Sequence, residues 1–120
     1  DLAMPVERVE AHPNVSQAAG CVALQRGPIV YCFEEVDNPV PLHRIVVPRG
    51  AQLEAVYDEE LLGGVVKIQG EARLMDAADW GHELYRFQPA VMWPYPITAI
   101  PYYAWDHRGP GEMRVWIRSL

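Results

Sequence analysis

The four histidines, His12, His43, His82 and His107, are the side chains best suited to metal ligation or proton transfer, and their spacing organises neither. They are scattered through turn-like segments with no H-x-H or H-E-x-x-H pattern, so each reads as a solvent-facing loop residue. Cys21 and Cys32 are the only cysteines. They have no metal-ligand spacing, and both lie in apolar runs where a free thiol behaves as a small hydrophobe. The carboxylate pairs Glu34-Glu35 and Glu59-Glu60 are sequence neighbours. In a strand neighbours point to opposite faces, so the first pair cannot aim at one substrate. Acid–base cleavage of a glycosidic bond needs two carboxyls about 5–10 Å apart across a sugar ring, and no pattern here specifies such a pair. There is no phosphate-binding glycine loop and no G-x-S-x-G. The two serines, Ser16 and Ser119, have no nucleophile context. No catalytic, cofactor-binding or metal-ligating residue is therefore assigned.

The aromatics carry more information. Trp93, Tyr95, Tyr102, Tyr103 and Trp105 fall within thirteen residues. Exposed rings of this kind serve protein interfaces and sugar-binding surfaces. Three readings stay open: packing against the core or under the neighbouring prolines, an interface with another domain or subunit, and a platform for a sugar.

These residues must be positioned by short strands, because eleven prolines and nine glycines leave no room for a long helix. The longest apolar segment is Cys21–Glu34, interrupted only at Gln25 and Arg26 before Gly27-Pro28. It predicts a strand at Cys21–Gln25, a bend or bulge at Arg26–Pro28, and a strand at Ile29–Phe33 leaving in a new direction. Pro5–His12 alternates weakly and suits a charged edge strand, with Val15–Gly20 as a connector. Glu34–Leu42 reads as a loop, Arg44–Val47 as a strand, and Gln52–Tyr57 as a strand with Leu53, Ala55 and Tyr57 on one side. Asp58–Gly64 has the N-cap, acidic first turn and terminal glycine of one helical turn. Val65–Met75 alternates most cleanly, with Gly70 as a bulge. Asp76–His82 is a polar turn, Glu83–Gln88 a strand, and Pro89–Pro96 a loop. Ile97–Trp105 and Glu112–Arg118 are the last two strands, joined through Asp106–Gly111. If Ile97–Trp105 is one strand, Tyr103 and Trp105 share a face with Ile97 and Ala99, and Tyr102 shares the other with Ile100. The expected fold is all-β: an antiparallel, jelly-roll-like sandwich of about eight short strands with one helical turn.

At 120 residues the chain makes one domain. Half of its residues are hydrophobic, which excludes a disordered tail. A net charge of −6 and a pI near 5.1 give no basic footprint for nucleic acid. No apolar run reaches the roughly 18 residues of a membrane span. With no leader peptide visible, a cytoplasmic location is the expectation, and an opening Asp1 suits either processing or a piece of a longer chain.

Two stretches go beyond generic strand features. G-C-V-A-L-Q-R-G-P-I-V-Y-C-F-E (Gly20–Glu34) and I-T-A-I-P-Y-Y-A-W-D-H-R-G-P-G-E-M-R-V-W-I (Ile97–Ile117) resemble the C-terminal region of glycoside hydrolase family 127, the β-L-arabinofuranosidase-like enzymes. L-L-G-G-V at Leu61–Val65 lies between them in the expected order, and His107 departs from the asparagine the resemblance leads one to expect there. The resemblance implies a catalytic (α/α)6 barrel followed by β-sandwich domains, of which this chain is the last. Residues 1–12 would then close the preceding sandwich, and residues 13–120 would form the C-terminal one. It also implies that the acid/base glutamate and the zinc-held cysteine nucleophile belong to the barrel, so zinc is expected there and no cofactor in this chain. Cys21 and Cys32 inherit neither role. The implied partners are the chain's own barrel and preceding sandwich, with a homodimer as a further expectation. The implied function is a non-catalytic accessory domain that supports the barrel or assembly. Its rival is a carbohydrate-binding module acting through the aromatics.

Overall fold

A computed structural model describes residues 4–10, 20–75, 92–105, 108 and 111–119. Among these residues nine strands form one mixed sheet: β1 (Val6–Glu10), β2 (Cys21–Arg26), β3 (Ile29–Glu34), β4 (Ile45–Val47), β5 (Leu53–Asp58), β6 (Val65–Met75), β7 (Met92–Pro101), β8 (Met113–Arg114) and β9 (Ile117–Ser119). The fold is all-β, as expected. The strand expected at Glu83–Gln88 and the turn at Asp76–His82 lie outside the described residues.

The Gly-Pro break is a tight hairpin. Arg26 pairs with Ile29 and Gln25 with Val30 across Gly27-Pro28. Gly27 takes φ +59, and the ring of Pro28 fixes a negative φ after it, the pattern of a II′ turn. The two arms then part. β2 goes on to pair with β1 and β9, while β3 pairs with β7 and then β8. The pairings close a ring, β2–β3–β7–β6–β4–β9 and back to β2, with β4 and β9 parallel and the other contacts antiparallel. β5 lies along the first half of β6. The main core fills the ring with Leu24, Tyr31, Phe33, Leu42, Ile45, Ile68, Ile97 and Ile117. A second, smaller core of Cys32, Ile100 and Ala104 lies on the other face of β3 and β7, packed by Leu61, Leu62, Trp105, Met113 and Val115.

β7 begins earlier than expected. Met92–Pro96, predicted as loop, pairs in unbroken register with Glu71–Met75 of β6. Thr98 shows how the prolines are tolerated, because its N–H and its neighbour Asn38 meet on the side away from β6. Main-chain groups alternate sides along a strand, so the nitrogens of Pro94 and Pro96 face that same side, where no ladder bond is required. At the other end, two more steps of the register would set Pro101 against Val66. Proline has no N–H to give there, and the Tyr31 hydroxyl donates to the Val66 carbonyl instead, at 2.6 Å.

Several expectations change for local reasons. The strand at Ile97–Trp105 stops at Pro101, and Tyr102–Ala104 forms a 3-10 turn, so the alternating faces do not extend to Tyr102, Tyr103 and Trp105. Asp58–Gly64 is not helical. Two successive turns (Leu61 N–H to Asp58 O and Gly64 N–H to Leu61 O) replace the helix, with Leu62 at φ +51. The Asp58 carboxylate still accepts from the Glu60 N–H at 3.1 Å. A second 3-10 turn spans Leu42–Arg44, inside and just beyond the predicted loop. Gly70 is no bulge, since the β6–β7 ladder runs through it without a skip and the β5–β6 ladder reaches it in register at Leu53. It permits close approach instead: a Cβ there would stand 2.6 Å from the Gln52 carbonyl oxygen. Glu112–Arg118 divides into β8 and β9, which join different parts of the ring.

Candidate interaction surface

β7 spreads the aromatics along its length. Trp93 lies opposite Leu74 and Tyr95 opposite Ala72, both on the parity that faces the main core further along at Ile97 and Ala99. Tyr95 packs against that core, whereas Trp93 is 55% exposed. Tyr102, Tyr103 and Trp105 follow the far end of the strand, roughly 27 Å from Trp93 at about 3.3 Å per residue. The structure therefore brings together Tyr102, Tyr103 and Trp105 but separates them from Trp93 and Tyr95. Trp105 is partly buried against the second core, its ring 6.5 Å from that of Tyr102. Tyr102 and Tyr103 are 46% and 65% exposed.

The far end holds one further exposed ring that the sequence reading assigned no such role. Tyr57, at the end of β5 and 64% exposed, pairs with Val66. Its hydroxyl occupies the space a side chain at Gly64 would need. Beneath these rings sits buried Tyr31, bonded to Val66 and also hydrogen-bonded with Arg26. Burial raises the Tyr31 phenol above its ordinary range; Arg26 opposes this and nearby Tyr103 adds to it.

The groups that could do chemistry are bound into the framework. Arg108 reaches Asp37 with two bonds of 2.6 Å, Nη1 to Oδ1 and Nη2 to Oδ2, and its Nη2 also reaches Glu34 Oε1 at 3.0 Å. All three side chains are largely buried. Bidentate Arg–carboxylate geometry of this kind is strong and directional. Asp37 leads in raising the Arg108 guanidinium, against its burial, with Glu34 adding. Glu35 is exposed and accepts from the Glu112 N–H, so the Glu34-Glu35 pair does point two ways. Burial pushes the Cys32 thiol up to about 12, helped by Glu34 and Asp37. Cys21 is a free thiol too. Ser119 Oγ accepts from Arg8, which also donates to the carbonyls of Pro48 and Val47. His43 is exposed, and His12, His82, His107 and Ser16 lie outside the described residues. Among the described residues no three His, Cys, Asp or Glu side chains are grouped to hold a metal ion.

A family model described as the glycoside hydrolase family 127 C-terminal domain matches residues 6–118. The chain is 37% identical over 98% of its length to the non-reducing end β-L-arabinofuranosidase of Bifidobacterium longum subsp. longum, of which it covers 19%. Among solved structures, a GH127 β-L-arabinofuranosidase from Geobacillus stearothermophilus T6 superposes with a TM-score of 0.89 at 54% identity; 98% of this chain matches 18% of that one. A second GH127 β-arabinofuranosidase gives a TM-score of 0.81 at 37% identity, with 98% of this chain matching 17% of that one.

Proposed function

Since the chain belongs to the glycoside hydrolase family 127 C-terminal domain family, we propose that it is the non-catalytic accessory domain of a β-L-arabinofuranosidase-like enzyme. Its task is to support the catalytic barrel, directly or through assembly of the oligomer. The observation that carries this reading is the asymmetry of coverage: 98% of this chain corresponds to 19% of its curated relative. A module of that share accounts for a minor part of the relatives' length.

The disposition of reactive groups supports the same reading. A general acid must release a proton to substrate, but Glu34 and Asp37 are tied to one guanidinium. A nucleophilic thiol must ionise near neutral pH, and Cys32 is held at about 12. In this reading zinc belongs to the parent's catalytic barrel, and this chain holds none of its own.

The test compares the chain alone with the full-length parent enzyme on an aryl β-L-arabinofuranoside, alongside metal analysis after gel filtration. The chain alone is expected to give no turnover above a buffer blank and to retain no stoichiometric zinc. Turnover or zinc in the chain alone would overturn the reading.

A further inference from the structure

We infer that the end of the domain bearing Tyr57, Tyr102 and Tyr103 is the seat of the part of the parent polypeptide that precedes β1. The inference rests on the module reading above and names the surface through which the module acts.

A chain of contacts brings the relevant residues to one end. Val6 stands opposite Arg26, so the chain enters β1 beside the β2–β3 hairpin. Just before β1, Met4 lies against Gly27 at the tip of that hairpin. Arg26 bonds with Tyr31, and Tyr31 reaches Val66, the partner of Tyr57. The turn carrying Tyr102 and Tyr103 follows Pro101, itself the partner of Tyr31. Chain entry and exposed rings therefore share one end, while Trp93 marks the opposite end of β7.

The chemistry of this end suits a protein surface. Tyr57, Tyr103 and Tyr102 are 64%, 65% and 46% exposed, and Val30 beside the hairpin is 38% exposed. Phenols offer broad apolar faces with a hydroxyl at the rim, the composition favoured at the centre of protein interfaces. The occupant follows from connectivity. The relatives are about five times longer, on the 19% coverage, and the family description places this domain at their C-terminal end. In them the preceding chain arrives through β1, past these rings. A partner tethered within a few residues of its seat acts at high effective concentration, which a free second copy lacks.

The experiment is hydroxyl-radical footprinting of the chain and of the full-length parent enzyme at matched, low concentration. Tyr57, Tyr102 and Tyr103 are expected to be labelled in the chain and to lose that labelling in the full-length enzyme, with Trp93 labelled in both. The pair Tyr57→Ser and Tyr103→Ser should leave the chain's own urea midpoint unchanged and lower the thermal midpoint of the full-length enzyme. Equal labelling in both proteins would overturn the inference. So would protection that appears only as concentration rises, which points to a second copy, or protection of the chain by an arabino-oligosaccharide. Hydrolysis by the chain alone would defeat the non-catalytic reading and leave the footprint pattern as a separate result.

Discussion

Asn38 stands in for a strand at Thr98. Its Oδ1 accepts from the Thr98 N–H and its Nδ2 donates to the Thr98 carbonyl, both at 2.9 Å, and the amide is fully buried. A third bond, from Nδ2 to the Glu34 carbonyl at 3.1 Å, ties the same amide to the end of β3. One side chain thus continues the β3 edge where the backbone has already turned away.

Replacing Asn38 with leucine should therefore destabilise the domain by about 2–4 kcal/mol, because it leaves the partly buried N–H and carbonyl of Thr98 without these partners. Urea denaturation measures this directly. A loss below about 0.5 kcal/mol would mean that Thr98 finds other partners.

The Arg108 fork invites a second test. Arg108→Met leaves Glu34 and Asp37 as buried carboxylates facing each other without their cation, and should cost about 3 kcal/mol. Arg108→Lys should recover only part of that, since a lysine cannot satisfy two carboxylates in a planar fork. Equal stability of the lysine variant and the parent would remove geometry from the explanation and leave charge alone.

Gly27→Val should destabilise by more than about 1 kcal/mol. The position has φ +59, and a Cβ there would run into the Met4 sulfur. A variant with an unchanged urea midpoint would show that the hairpin tip tolerates a side chain.

Alkaline pH should weaken the fold through Cys32. The thiol ionises at its ordinary value of 9.0 when unfolded and only near 12 when folded. Above pH 9.0 the unfolded chain releases a proton that the folded chain retains, so stability falls as pH rises through that window. The raised Tyr31 phenol acts in the same direction. Denaturation midpoints from pH 8.5 upward should decline less steeply in Cys32→Ala than in the parent, and equal slopes would exclude the thiol as a contributor.

Much of this fold is written locally. The alternation of Val65–Met75, the Gly-Pro break and the short β-branched run before Pro48 each correspond to a strand or hairpin at the expected place. What sequence hid depends on partners far along the chain. Pro94 and Pro96 forbid a ladder bond on one side only, and nothing local says which side the sheet will use. Arg108 and Asp37 lie 71 positions apart, so no motif links them. The aromatic cluster was legible as composition but not as geometry, because Pro101 ends the strand just before Tyr102. Tyr57 has the inward parity of Leu53 and Ala55, and only its place at the strand end exposes it.

The ring has an order of assembly built into it. β9, at Ile117–Ser119, is the last strand described and the sole bridge between β2 and β4 among the described residues. β9 is translated after β1 to β8, so Leu24 of β2 and Ile45 of β4 have no Ile117 to close against until that strand is available. A chain cut just before β9 would keep every other described strand and still leave β2 and β4 without the strand that joins them directly.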